Sequence, residues 1–361
     1  MKNTSRATVG RSGATGENLA RGMRAKLADA ANVLLVIHPG TLGDVLVAIP
    51  SLRVMRAKFP RHDLALVARG EVGDLLKQAG EVSQVCGLEG AFGSTLFGGE
   101  PILPSPWREW LGRCDRAIGF LSDPEGTVRA TLDRFAIAHV TLRSPFDGTL
   151  QAIHQSARFI EIVDQAVPTK VRLVPPLQIS HNRRAEAGEI LRSMGVKLLG
   201  DGLVAVHPGS GSPHKCADPR LYAGVITWAW DRGGQAVMIE GPADGEAVSA
   251  VTGLLSHRQV PILKQDDLNV LAAVLAQASL FVGNDSGVTH LAASVGTSTV
   301  ALFGPTDPSR WAPIGPAVQV LQGGPCGCRP DWSRVRTCEA RPCLRIDVST
   351  LLSLCQRIVG T

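Results

Sequence analysis

A chain of 361 residues exceeds the roughly 250–300 that one hydrophobic core usually serves, so two domains are expected, each with a core of its own. Hydrophobic residues are 44% and charged residues 19%, an ordinary globular balance, and no window approaches the ~18 apolar residues of a membrane span, so a soluble protein is expected. The net charge of +5 favours an anionic partner, but the basic residues are dispersed and an aromatic content of 4% offers few stacking platforms; this argues against nucleic acid and for a phosphorylated substrate or an anionic lipid surface.

Residues 1–30 mix Arg and Lys with Gly, Ser, Thr and Ala and lack the apolar centre of a secretory signal, so they read as a polar leader that stays in the cytoplasm. From residue 33 onward, short apolar runs alternate with stretches of helical period: 33–37 then 45–58, and 64–68 then 72–79. A Gly/Pro-rich loop at 90–106 belongs to this first half, and prolines 168, 175 and 176 mark a linker over 167–180. The alternation resumes with 203–206 then 219–231, 236–239 then 245–255 and 268–276, and 280–282 then 287–295 and 299–303. Apolar runs of this length between helices are the signature of βαβ units, with parallel strands covered on both faces, so the fold class is α/β.

In such sheets ligands bind beyond the carboxyl ends of the strands, where helix N-termini attract anions. Three loops have that form. The first, His38-Pro39-Gly40-Thr41-Leu42-Gly43-Asp44, places Asp44 at a first helical turn, where it is either a general base for an acceptor hydroxyl, with Thr41 and Gly43 beside it, or a plain helix cap. The second, from His207 to Lys215, carries a Gly/Ser run with Ser210 for close backbone approach and a lysine to meet negative charge; the plainer reading is a surface loop with an incidental lysine. In the third, from Phe281 to Ala293, Asn284, Asp285, Ser286 and Gly287 either aim backbone N–H groups at a diphosphate or merely cap the helix. None of the three matches the P-loop or the G-x-G-x-x-G fingerprint, which removes the usual support for an ATPase or a dehydrogenase. Further on, Cys326, Cys328, Cys338 and Cys343 form a C-x-C-x9-C-x4-C cluster that reads either as a structural zinc site or as thiols in a loop.

Together, in this order and separation, the loops resemble glycosyltransferase family 9, the group that includes the ADP-heptose:lipopolysaccharide heptosyltransferases, over about residues 32–358. The residues that carry the resemblance are Gly40-x-x-Gly43-Asp44-Val45, Pro50-Ser51-Leu52-Arg53, His207-Pro208-Gly209 with Lys215, Gly283-Asn284-Asp285-Ser286-Gly287 with His290, and Phe303-Gly304-Pro305-Thr306-Asp307-Pro308. The resemblance implies the GT-B architecture: two Rossmann-like parallel-sheet domains facing a cleft, acceptor on 31–175 and donor on 176–346, with residues 347–361 forming a helix that returns to the first domain. It implies an inverting transfer with Asp44 as base. Lys215 and Ser210 would meet donor phosphate, Glu246 the nucleotide ribose, and Asp285, Ser286, Gly287 and His290 the diphosphate and sugar. A lysine and helix N–H groups on the leaving group make a divalent metal or other cofactor unnecessary. The implied reaction moves heptose from ADP-heptose onto a lipopolysaccharide-core or related envelope acceptor, on the inner face of the cytoplasmic membrane. The alternatives are another nucleotide sugar, a protein acceptor, or a non-catalytic GT-B protein that only binds nucleotide.

Overall fold

The computed structural model describes residues 32–98, 105–146, 153–165, 174–197, 202–255, 258–328 and 331–360; the polar leader and the first half of the proline-marked linker lie outside them. The first half forms β1 (Asn32–Ile37), β2 (His62–Ala68), β3 (Gln84–Gly87), β4 (Cys114–Gly119) and β5 (His139–Leu142), a parallel sheet in the order β3-β2-β1-β4-β5. The second forms β6 (Leu203–His207), β7 (Gln235–Glu240), β8 (Ile262–Lys264), β9 (Leu280–Asn284), β10 (Thr299–Phe303) and β11 (Val318–Gln322), parallel in the order β11-β10-β9-β6-β7-β8. Two separate parallel sheets wound with helices make the expected α/β, GT-B arrangement.

The apolar runs explain the strands. Val33–Ile37 is buried without a break, as are all residues of β6, β9 and β10, because helices cover both faces of each sheet. Strand order reverses beside β1 in the first sheet and between β6 and β9 in the second, and at such switch points the adjoining loops part to leave a crevice. All three candidate loops leave the carboxyl ends of these strands.

The halves meet through helices rather than strands. The short helix Leu42–Val47 packs on Gly287–Ser294, and one apolar cluster runs from Leu34 and Leu66 through Leu46 and Ile49 to Leu271, Phe281 and Leu291. The approach is close: a Cβ at Gly287 would stand 3.2 Å from Leu42 Cβ, and one at Gly43 would stand 3.3 Å from His290 Cδ2. Polar and aromatic contacts also cross between halves. His154 Nε2 lies 2.9 Å from the Ala312 carbonyl, Phe146 stacks on Trp311 with ring centres 6.0 Å apart, and Arg183 Nε donates to Gln78 Oε1 at 3.2 Å.

The last helix corrects an expectation. Val348–Val359 does not return to the first sheet; it packs on Pro219–Asp231, with Leu351, Leu354 and Cys355 buried in one cluster with Leu221, Tyr222 and Val225. The reason is local. A turn at Pro342–Leu344 rests beside β10, and only Arg345 and Ile346 separate it from Asp347, which caps the helix through Thr350 N at 3.1 Å. An apolar stripe at 351, 354 and 355 then finds its partner on the nearest helix.

Candidate functional site

A cavity of about 1000 Å³ opens between the carboxyl ends of the two sheets. Its first wall follows β1. There Asp44 sits in the first turn of Leu42–Val47, and its Oδ2 accepts both the Thr41 N–H at 2.9 Å and the Thr41 hydroxyl at 2.7 Å. Thr41 thus binds one carboxylate oxygen of Asp44 and fixes the direction of the other. Behind it His38 is buried, packed edge-on to Phe120 at 5.5 Å and tilted against Phe159 at 5.1 Å, and its Nδ1 accepts the Gly40 N–H at 3.2 Å. Burial pushes the His38 pKa down to about 4, against the opposing pull of the Asp44 charge, so this imidazole is neutral at pH 7.

The second wall is built by β6 and β9. Asn284, fully buried at the end of β9, donates through Nδ2 to the carbonyls of Pro208 at 2.7 Å and Gly209 at 3.1 Å and accepts the Ala217 N–H through Oδ1 at 2.9 Å. One amide thus clamps the whole loop after β6 to the end of its neighbour strand. Ser210 Oγ donates to the Asp285 carbonyl at 2.8 Å, and Lys215 Nζ meets Asp285 Oδ2 at 2.7 Å, 5.7 Å from the centre of the Trp332 ring. Ser286 caps the helix Gly287–Ser294, its Oγ accepting the Thr289 N–H at 3.4 Å. The first N–H groups of that helix have no intrahelical partner and stand at the cavity.

Between the two walls lies His290, 5% exposed. Burial holds its pKa near 4; the charges of Asp285 and Asp44 oppose this, while His154 and Lys215 add to it. Beneath Ser286, His207 Nδ1 lies 3.2 Å from the serine Oγ, and Nε2 lies 2.8 Å from Asp244 Oδ2. Burial alone would raise the Asp244 carboxyl, but the hydrogen bond and charge of His207 and the Gly241 N–H at 2.8 Å outweigh it and hold the group below its ordinary range.

Of the residues singled out in sequence, Thr41, Gly43, Asp44, Ser210, Lys215, Asp285, Ser286, Gly287 and His290 all line this one cavity. Glu246 does not. It stands exposed on the first turn of Gly245–Thr252, because the preceding loop folds back so that Asp244, rather than Glu246, turns inward to bond Gly241 and His207. Sequence reasoning also left unassigned Arg310, Trp311 and Trp332 on the cavity wall. The first two follow Phe303-Gly304-Pro305-Thr306-Asp307-Pro308, a segment recognised without a role for its sequel; Trp332 has no signal beyond its place among the cysteines.

Those cysteines converge. Cys326 Sγ lies 2.7 Å from Cys328 Sγ and 3.9 Å from Cys338 Sγ, with all three sulfurs within 4.8 Å of one another, and Cys343 adds a hydrogen bond to the Cys326 thiol. Hydrogen bonds, first from Cys328, lower the Cys326 thiol below its ordinary range. A tetrahedral ion with bonds of about 2.3 Å to sulfur has edges of roughly 3.8 Å, so the three thiols drawn this close could supply three of its ligands. Cys326 is itself part of the cavity lining.

The profile of Glycosyltransferase family 9 (heptosyltransferase) matches residues 151–341. A lipopolysaccharide heptosyltransferase 3 of Escherichia coli is 30% identical over 42% of this chain, a stretch that spans 43% of that relative's length. Among solved structures, a family 9 glycosyl transferase from Veillonella parvula superposes with a TM-score of 0.75 at 20% identity, covering 91% of this chain and 97% of its own. The E. coli ADP-heptose lps heptosyltransferase II superposes with a TM-score of 0.70 at 21% identity, covering 91% and 98%.

Proposed function

The chain belongs to glycosyltransferase family 9, and from that premise we propose that it is an inverting transferase moving heptose from ADP-heptose onto a lipopolysaccharide-core or related cell-envelope acceptor. The observation that carries the reading is the division of the cavity: a positioned carboxylate, Asp44, on the wall after β1, and a lysine with a helix N-terminus, Lys215 and Ser286–Gly287, on the wall after β6 and β9.

In this reading Asp44 takes the proton of the acceptor hydroxyl through the oxygen that Thr41 leaves free. The acceptor oxygen then bonds to the anomeric carbon as the bond from that carbon to the diphosphate oxygen breaks. The negative charge appearing on the departing diphosphate is met by Lys215 and by the N–H groups opening Gly287–Ser294, so the transfer itself needs no divalent metal. Before the donor arrives Asp285 holds Lys215 at the cavity, and the diphosphate then shares that lysine. The name of the E. coli heptosyltransferase II supports an ADP-linked donor. An anionic acceptor suits the net charge of +5, and no helix among the described residues is long and apolar enough to cross a membrane. The reading therefore places the protein in the cytoplasm, in peripheral contact with the membrane that carries its acceptor. Acceptor binding is assigned to 31–175 and donor binding to 176–346. Cys326, Cys328, Cys338 and Cys343 would hold a structural ion, with zinc suiting a four-thiolate set.

The test is calorimetric titration of ADP and ADP-heptose into the protein with EDTA present, followed by an assay of heptose transfer. Binding that survives EDTA and weakens in Lys215→Ala supports the donor site. A protein that binds neither ligand is not a transferase of this kind.

A further inference from the structure

The cavity lining holds one cation that the transfer just described does not use. Arg310 sits on the short helix Pro308–Trp311, which follows β10. Lys215, the other lysine or arginine of the lining, is paired with Asp285. Arg310 has neither an ion pair nor a hydrogen bond among the described residues, and its Nε is shut off from solvent without an acceptor. Asp307, three residues earlier, is the acid nearest in sequence, but its Oδ1 accepts the Ser309 N–H at 2.9 Å and the Ser309 hydroxyl at 2.8 Å, and it does not pair with the arginine. A guanidinium left in this state is uncommon in a folded chain, because an enclosed N–H that gives up water without finding an acceptor costs free energy. With Nε enclosed, the two Nη groups are what the side chain can offer a ligand, and they form a flat fork that matches a carboxylate or a phosphate.

Position decides between the possible ligands. The groups assigned to the diphosphate, Lys215 and the opening of Gly287–Ser294, follow β6 and β9, whereas Arg310 stands beyond the neighbouring strand β10. The two residues after it are fastened to the first half of the molecule: Trp311 stacks on Phe146, and the Ala312 carbonyl lies 2.9 Å from His154 Nε2. Arg310 is therefore held at the seam, where the wall that carries Asp44 meets the wall that carries the donor groups. An acceptor whose hydroxyl lies at Asp44 has the rest of its sugar in the same cavity, and Arg310 is the cation there that remains for an acidic group on it.

We propose that Arg310 is a specificity residue that binds an acidic group, carboxylate or phosphate, on the acceptor, so that acidic sugars are selected over neutral ones. The proposal rests on the cavity being the site of transfer from a nucleotide diphosphate.

The experiment titrates glucuronate, glucose 6-phosphate and, as the neutral reference, glucose into the full chain saturated with ADP, followed by ligand-observed NMR. ADP fills the diphosphate site, so whatever an acidic sugar gains over glucose is gained outside it. The expected result is that at least one acid binds about tenfold or more tightly than glucose, and that Arg310→Met, which keeps the apolar stem and removes the charge, brings it down to the level of glucose with the ADP Kd unchanged. Binding of glucuronate alone names a carboxylate; binding of glucose 6-phosphate alone names a phosphate. Arg310→Lys is the second variant, should Arg310→Met fail to fold; a point charge in place of the fork is expected to keep only part of the gain. If neither acid outbinds glucose, or if the preference persists in a folded Arg310→Met, the proposal is overturned while the donor site stands. A fall in ADP affinity with Arg310→Met assigns the arginine to the diphosphate and also overturns it. Failure of the native protein to bind ADP overturns the donor reading and this proposal with it.

Discussion

At the scale of single residues, the site consists of side chains whose ordinary structural duties and proposed chemical duties coincide. Asp44 caps a helix through one oxygen and is left with the other, so Asp44→Asn keeps the cap and removes the base. The expected outcome is a fall in turnover of about 10²–10⁴ with ADP affinity unchanged, read from initial rates and calorimetry. Lys215→Ala removes a charge-assisted contact of about 1.5–3 kcal/mol and is expected to weaken donor binding by roughly 10- to 100-fold. His38 and His290 make a pH prediction. Both are buried with pKa values of about 4, below the unfolded value of 6.5, so the unfolded chain binds more protons between those limits. Stability is therefore complete above pH 6.5 and is lost as pH falls from 6.5 to 4, by on the order of 3 kcal/mol for each histidine. Denaturant melts at stepped pH should show this slope, and His38→Asn, which can still accept the Gly40 N–H, should reduce it by about one proton's worth.

At the scale of elements, the loops are held by strand ends more than by their own sequence. Asn284 ties the loop after β6 to the end of β9, and Asp244 fills the space a side chain at position 209 would need. Gly209→Ala is expected to displace Asp244 and with it the loop that carries Ser210 and Lys215, so donor affinity should fall although Gly209 does not itself line the cavity; a titration with ADP measures it. The final helix makes a separate prediction. Leu351 is fully buried against the helix Pro219–Asp231, and Leu351→Ala should cost about 2–5 kcal/mol of stability by opening a cavity there. Urea melts would register the loss. Had the helix crossed to the first sheet, the same substitution would instead loosen the contact between halves.

At the scale of the whole molecule, the cavity exists because two sheets present their switch points to each other. The helices that set this distance, Leu42–Val47 and Gly287–Ser294, meet at Gly43 and Gly287, the positions that also begin the two halves of the site. Packing and site geometry are therefore one constraint. A ligand held between both walls stabilises the assembled form by mass action, so ADP-heptose at 100 times its Kd is expected to add about 2.7 kcal/mol to unfolding, seen as a rise in Tm.

Sequence alone was sufficient for β1, β2, β6, β7, β9 and β10, the two-sheet architecture and most of the cavity lining, but not for β3, β4, β5, β8 and β11, which are only partly buried and carry no unbroken apolar run. Buried parallel strands must be unbroken apolar runs, and the loops at their carboxyl ends must be short, polar and glycine-rich; both properties are local and are written in neighbouring residues. Asp44, Lys215 and the 284–287 segment were legible for that reason. What required tertiary structure was every relation between distant segments. Which acid of the 241–246 loop turns inward depends on where His207 ends, and the partner of the last helix depends on how little chain follows the turn at Pro342–Leu344. The convergence of Cys326, Cys328 and Cys338, and the line from Asp244 through His207 to Ser286, join residues distant in the chain. Periodicity reports which face of an element is buried but not what covers it, and that is decided only when the chain has folded.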